Sequence, residues 1–259
     1  MTAREALAEA ERRLAAAGID TPRVDAEWLV AHVLGTSRTG VHARLADEVA
    51  GLEPLLARRE AREPLAYVLG EWGFRRLTLK TDARALVPRP ETETLVERAL
   101  ALIEQLAEPR VLDIGVGSGA VALAIKDERP DARVTGVDVS PDALALASEN
   151  ARRLGLDVEL REGGTETAAE GWDLVVSNPP YVSSLEGLQP ELRYEPEVAL
   201  LGAGFHHEIA RRADARFVAF EVADGEAHEV AAELEGLGYR HVRVSADLSG
   251  RDRVVEGAR

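Results

Sequence analysis

The sequence predicts an α/β protein: a doubly wound, mostly parallel sheet with an antiparallel hairpin at one edge, preceded by a small helical segment. Three observations predict it. From about residue 95 onward, short apolar runs alternate with helical stretches, the pattern of a parallel sheet covered on both faces. The last two runs are separated only by Ala246 to Asp252, too short a link for a parallel crossover, so they pair as a hairpin. Residues 1–70 carry apolar residues at helical spacing, interrupted by glycine and proline.

In the helical segment, Ala3 to Ala17 runs to a stop at Gly18. Thr21-Pro22 offers an N-cap followed by proline at the first helical position, leading into Val24 to Leu34 and a second stop at Gly35. Leu52 to Arg62 is a third helix, ending before Pro64. Residues 65–90 change character, with alternation over Phe74–Leu79, and read as a connecting hairpin. The expected division is 1–70 helical, 71–94 hairpin linker and 95–259 the α/β domain. Its candidate strands are Arg110–Ile114, Val134–Val139, Val158–Leu160, Leu174–Ser177, Phe217–Val222, Val242–Ser245 and Arg253–Glu256. Helices are expected at Ala120–Asp127, Pro141–Leu154 and Gly225–Leu237.

Composition limits the function classes. The chain has no cysteine, which removes disulfides, thiolate metal sites and a cysteine nucleophile together and accords with a cytoplasmic setting. No apolar run approaches the roughly 20 residues of a membrane span, and the N-terminus opens no signal peptide. A formal net charge of −15 is the reverse of a nucleic-acid footprint. The best arginine clusters, Arg58-Arg59 with Arg62 and Arg75-Arg76, are interleaved with glutamate and read as solvated faces. An acidic surface is compatible with a basic protein partner.

Asn178-Pro179-Pro180-Tyr181 carries the most chemistry. Two prolines end the strand Leu174–Ser177 because neither donates a ladder hydrogen bond. They leave an amide, bare carbonyls and a phenol at a strand end, where ligands bind in open α/β sheets. Such acceptors suit an NH2 group. Taken alone, the same four residues also read as a simple turn.

A second motif is Asp113-Ile114-Gly115-Val116-Gly117-Ser118-Gly119, a strand entering a glycine loop and then a helix. Gly115-x-Gly117-x-x-Ala120 also satisfies the dinucleotide fingerprint, so an NAD-binding oxidoreductase competes here, as does a structural turn. Asp113, two residues before the first glycine, is placed to face a ligand ammonium or to order the loop. Asp138 closes the next strand and suits ribose hydroxyls, because a carboxylate only accepts hydrogen bonds. Asp113, Asp138 and the Asn178 corner together point to S-adenosylmethionine, which has an ammonium, a ribose and a sulfonium methyl but no phosphate. No metal is called for.

From Asp113 to Tyr181 the sequence resembles class I methyltransferases that modify amino groups. Adding Leu86-Val87-Pro88-Arg89-Pro90-Glu91-Thr92-Glu93 narrows the resemblance to the HemK/PrmC family of release factor N5-glutamine methyltransferases. Glu63–Gly70, Arg193-Tyr194-Glu195-Pro196 and the helical N-terminus are similar to that family too. The resemblance implies a Rossmann-like class I S-adenosylmethionine-dependent methyltransferase fold with a seven-stranded sheet, and an N-terminal helical domain that recognises the protein substrate. It further implies a cofactor lined by Asp113, Gly115, Val116, Gly117, Ser118, Gly119, Asp138, Val139, Glu162, Gly163 and Asn178. Asn178, Pro179, Pro180 and Tyr181 would hold the substrate glutamine, with Asn178, Pro179 and Tyr181 at the chemistry. The implied partner is a class I peptide chain release factor, the implied enzyme a monomer, and neither nucleic acid nor membrane is expected. Two departures from the family pattern are Gly163, where a large apolar residue is common, and a shortened 200–217 segment.

Other readings remain open at this point. An N6-adenine methyltransferase would use the same tetrapeptide, but the acidic balance weighs against it. A ribosomal-protein glutamine is an alternative acceptor. A cofactor-binding module without catalysis leaves Asn178 without a purpose. His206 and His207 read as an exposed loop pair with no role, and Glu91, Glu93, Glu195 and Glu197 as solvated loop carboxylates.

Overall fold

The computed structural model describes residues 1–180, 184, 187–202 and 204–259, and Tyr181 lies outside the described residues. The chain divides into two compact units, Met1–Glu71 with Leu188–Tyr194, and Trp72–Gly187 with Glu195–Arg259.

The first unit is helical. Its helices are α1 (Ala3–Ala16), α2 (Pro22–Leu34), α3 (Arg38–Val41), α4 (Leu52–Glu60) and α5 (Leu65–Leu69). Thr2 and Glu5 close a capping box on α1, satisfying backbone donors that the helix itself cannot pair. Gly35 ends α2 in the left-handed conformation, as its position predicts. Thr21 differs from expectation: its hydroxyl donates to the Asp25 carboxylate at 2.9 Å instead of capping α2. Residues Leu65–Leu69, expected as part of a hairpin, form a helical turn instead. Pro64 presets the entry, Ala66 to Leu69 are buried, and the Arg58 guanidinium donates to the carbonyls of Tyr67 and Val68.

The arginines of α4 correct the solvated-face expectation. Arg59 is buried and donates to Asp25 at 2.7 Å and to Glu191 at 3.0 Å, while Arg62 reaches Glu191 at 2.8 Å. The Tyr194 hydroxyl donates to the Ala61 carbonyl. A buried guanidinium needs such partners, because an unpaired buried charge is costly.

The second unit opens with a two-stranded hairpin, β1 (Glu71–Phe74) and β2 (Leu77–Lys80), followed by helix α6 (Thr92–Leu102). Strand and helix then alternate through β3 (Arg110–Ile114), α7 (Ala120–Glu128), β4 (Arg133–Asp138), α8 (Pro141–Leu154), β5 (Glu159–Glu162) and β6 (Trp172–Ser177). The remainder is α9 (Glu197–Leu200), α10 (Phe205–Arg212), β7 (Ala215–Glu221), α11 (Ala227–Gly236), β8 (Arg240–Ala246) and β9 (Asp252–Ala258). These form a seven-stranded sheet ordered β5-β4-β3-β6-β7-β9-β8. Five strands run parallel, and β9 pairs antiparallel with both β7 and β8. The expected hairpin thus forms the edge, with β8 outermost and the reversed β9 filling the gap between β7 and β8.

Alternation along the strands builds two apolar layers. Val111, Leu174, Val176, Ala219 and Val254 face one way, against Leu95, Val96 and Ala99 of α6 and Val121 of α7. Leu112, Val175, Val218, Phe220 and Val255 face the other, against Ile209 of α10 and Val230 and Leu234 of α11. Arg75 and Arg76 are paired as well, to Glu128 and Asp127 on α7. No described helix is long and apolar enough to cross a membrane.

Candidate active site

The sheet order places β3 between β4 and β6, whose helical connections leave in opposite directions, and this switch point is where doubly wound sheets bind ligands. Beside it lies a cleft of about 1130 Å³, counted with its open mouth. Asp113, Gly115, Val116, Gly117, Ser118, Asp138, Val139, Gly163, Asn178, Pro179 and Pro180 all line it. Among the described residues its wall includes neither Gly119 nor Glu162.

The glycine loop is pinned from below. Backbone nitrogens of Gly115 and Val116 donate to the Val137 carbonyl at 2.8 and 2.9 Å. Gly115 has φ +77°, and a Cβ there would meet no protein atom, so its surroundings are open for a ligand. Gly119 has a different purpose. With φ +89°, it begins α7, and a Cβ would stand 2.8 Å from Leu123 Cδ1 and 3.5 Å from Ala147, so it allows close packing of α7 and α8.

Asp138 ends β4 with both carboxylate oxygens in use: Oδ2 accepts from Gly117 N at 3.0 Å and Oδ1 from Ser140 N at 2.9 Å. Each oxygen keeps a further lone pair for a ligand hydroxyl. Val139, the next residue, is 59% exposed on the cleft wall, an apolar surface suited to a planar ring. Glu162 is the register partner of Asp138 on the edge strand β5, and its side chain is exposed to solvent.

Asp113 is 2% exposed and accepts from Ala122 N, at the first turn of α7, at 3.0 Å. Burial pushes its carboxyl up to about 7; the Ala122 hydrogen bond pulls the other way and the nearby Asp138 adds to the rise. Asp113 therefore both ties the strand to the helix and contributes to the wall.

Asn178 follows β6, whose Ser177 pairs with Ile114 at the end of β3. The Asn178 amide nitrogen donates to the Thr92 hydroxyl oxygen at 3.2 Å, which turns the amide oxygen away from Thr92. Pro179 and Pro180 bring no backbone N–H to the wall. Thr92 and Ser177 were not singled out from the sequence. Thr92 stands 86 residues from Asn178, so no local pattern announces the contact. The Ser177 hydroxyl donates to the Ile114 carbonyl at 2.7 Å, joining the two strand ends.

The cleft lining also contains Arg84 to Arg89. Glu195, expected as a solvated loop carboxylate, is buried and accepts from Val87 N at 3.1 Å and from the Arg89 guanidinium. Burial raises its carboxyl, and Arg89 acts against that rise. Glu93, also expected in solvent, accepts from Arg75 N at 2.9 Å. Glu91 and Glu197 are exposed, as expected. The histidines differ from the loop reading, because both lie on α10. His207 is exposed, but His206 is buried and its Nε2 donates to the Glu221 carbonyl at 2.8 Å.

Comparisons with known proteins agree with this architecture. Residues 5–70 match the PrmC N-terminal domain and residues 92–191 the methyltransferase small domain. A release factor glutamine methyltransferase of Deinococcus radiodurans is 42% identical, covering 100% of this chain and 99% of its own. Its namesake in Geobacter sulfurreducens is 39% identical over 94% of this chain and 92% of its own. Among solved structures, the hMettl16 catalytic domain in complex with MAT2A 3'UTR hairpin 1 superposes with a TM-score of 0.59 at 15% identity, covering 79% of this chain and 80% of that one. At that identity the likeness concerns the fold. Matched from end to end by such relatives, the chain belongs to the release factor glutamine methyltransferase family.

Proposed function

We propose that this protein transfers a methyl group from S-adenosylmethionine to the side-chain amide N5 of a glutamine in a class I peptide chain release factor. End-to-end similarity to release factor glutamine methyltransferases supports the substrate. The observation that carries the chemistry is the Thr92–Asn178 hydrogen bond, which commits the Asn178 NH2 and leaves its oxygen as an acceptor.

When bound, S-adenosylmethionine supplies an electrophilic methyl group with a neutral thioether as leaving group. The cleft fits it: Asp138 retains acceptor capacity for ribose hydroxyls, Val139 offers an apolar face to the adenine, and Asp113 lies buried where an ammonium would offset its charge. An amide nitrogen is a poor nucleophile because its lone pair is delocalised into the carbonyl. The Asn178 side-chain oxygen and the Pro179 carbonyl accept its two hydrogens, fix its direction and favour the positive charge that develops as it pyramidalises. One proton then leaves to water, so no strong base is required.

The enzyme acts as a cytoplasmic monomer on its protein partner, without contacting nucleic acid directly. Arg59, Arg62, Arg75 and Arg76, which a nucleic-acid backbone would need, are held by carboxylates of the chain itself. The test is incubation of the full-length protein with methyl-labelled S-adenosylmethionine and a purified class I release factor. Label in the release factor supports the proposal, whereas label entering only DNA, RNA or a ribosomal protein contradicts it.

A further inference from the structure

Asn150 is fully buried and, among the described residues, lies outside the cleft lining. It sits on α8, whose buried face is otherwise alanine and leucine: Ala143, Leu146, Ala147 and Ala151. Asparagine is a weaker helix former than either, because its amide competes for backbone partners. Here the amide finds those partners outside the helix. Its oxygen accepts from Lys80 N at 2.7 Å, and its nitrogen donates to the Lys80 carbonyl at 3.1 Å and to the Ser118 carbonyl at 2.9 Å. Both amide hydrogens are thereby committed.

The two places that it grips both lead to the cleft. Ser118 belongs to the glycine loop and lines the cleft. The Ala122 N–H, four residues on, goes to the Asp113 carboxylate, so the Ser118 carbonyl takes its donor from Asn150 instead of from the next helical turn. Lys80 ends β2, and from there the chain reaches the cleft lining at Arg84. The same helix holds that segment at further points. Glu149 accepts from Lys80 Nζ at 2.6 Å and from Arg84 Nη1 at 2.9 Å, and Ala143 and Leu146 cluster with Ala85. A Cβ on Gly117 would stand 3.9 Å from the Ala85 Cβ, so the glycine loop lies against that segment.

We propose that Asn150 is a positioning residue for cofactor binding: one amide ties the glycine loop at Ser118 to the end of β2 and so fixes the loop against the 84–89 segment. The inference rests on the S-adenosylmethionine-dependent function proposed above. Two carbonyls require two donors, and the Lys80 N–H requires an acceptor. Asparagine supplies all three, whereas a carboxylate has no hydrogen to give. Loss of Asn150 leaves the Asn178 corner in place, so its effect falls on cofactor affinity and not on the methyl-transfer step.

The experiment compares the full-length wild type with Asn150→Asp, Asn150→Ser and Val230→Ala. Affinity for S-adenosylmethionine is read by calorimetry, kcat by label transfer to an intact release factor at saturating cofactor, and stability by thermal melting. Asn150→Asp keeps the shape and the acceptor but sets an oxygen against both carbonyls, and Asn150→Ser shortens the side chain. Each should weaken cofactor affinity by about tenfold or more, the scale of one or two lost buried hydrogen bonds, with kcat within about threefold of wild type. Val230→Ala, buried on α11 outside the cleft lining, should lower the melting temperature and leave affinity within about twofold. Near-wild-type affinity in the Asn150 variants, a loss of kcat without a loss of affinity, or an equal loss of affinity in Val230→Ala overturns the positioning role alone. A wild type that binds S-adenosylmethionine but leaves the release factor unlabelled refutes the proposed substrate, while the affinities still decide the role of Asn150. A wild type that does not bind S-adenosylmethionine removes both.

Discussion

Asp138 accepts a hydrogen bond from the backbone nitrogen of Gly117 at 3.0 Å, so the carboxylate that ends β4 also fixes the loop that ends β3. One residue thereby shapes the glycine loop and keeps acceptor lone pairs on the cleft wall, where the cofactor is proposed to bind. Asp138→Ala removes both contributions. Affinity for S-adenosylmethionine should weaken by about 10- to 100-fold, on the scale of one or two lost hydrogen bonds to a charged group. Calorimetric titration checks this, and unchanged affinity would exclude Asp138 from the cofactor site.

Asn178→Ala should behave in the opposite way. Loss of one acceptor aimed at developing charge is expected to cost about 10²–10³ in kcat. Cofactor affinity should stay close to wild type, since Asp113, Asp138 and the glycine loop are untouched. Parallel measurement of kcat and cofactor dissociation constant decides it, and a large loss of affinity would reassign Asn178 to cofactor binding.

Glu195→Ala tests the 84–89 segment of the cleft lining. The substitution leaves the Val87 N–H and the Arg89 guanidinium without their carboxylate partner. A lost buried acceptor costs about 1–3 kcal/mol, and loosening of the 84–89 segment should weaken cofactor binding by up to about tenfold. Thermal melts with and without cofactor should show a smaller ligand-induced shift than wild type gives.

Two buried carboxyls set a pH dependence of stability. Asp113 and Glu221 are both pushed up to about 7 in the folded protein by burial, from ordinary values of 3.8 and 4.5. The folded chain therefore holds protons that the unfolded chain releases, and the sign follows from linkage. Their contribution is fully present below about pH 4 and is lost as pH rises through about 7. Wild type should lose melting temperature across that window relative to Asp113→Asn and Glu221→Gln, whose amides do not titrate. Parallel curves for all three would show that neither carboxyl is perturbed.

Much of the fold was legible because it rests on local pattern. Apolar runs ending at Ile114, Asp138 and Ser177 are strands whose ends meet at the switch point, and their motifs identified the cleft before any packing was known. Sequence pattern was silent where contacts span distance. Glu195 looks like a loop carboxylate until the chain returns 108 residues to meet Val87, and Thr92 until α6 brings it to Asn178. Two residues of the motif set were local in another sense. Gly119 serves helix packing, and Glu162 sits on the edge strand with its side chain in solvent. A motif names a neighbourhood, while burial and packing decide which of its members face the cleft.

The central claim is that the Asn178 corner methylates a glutamine amide. The most direct measurement is fragment-ion mass spectrometry of a class I release factor treated with this protein and S-adenosylmethionine. One added methyl on a glutamine side chain, absent when Asn178→Ala replaces the wild-type protein, is the predicted result. An unmodified release factor, or a methyl on any other residue type, would contradict it.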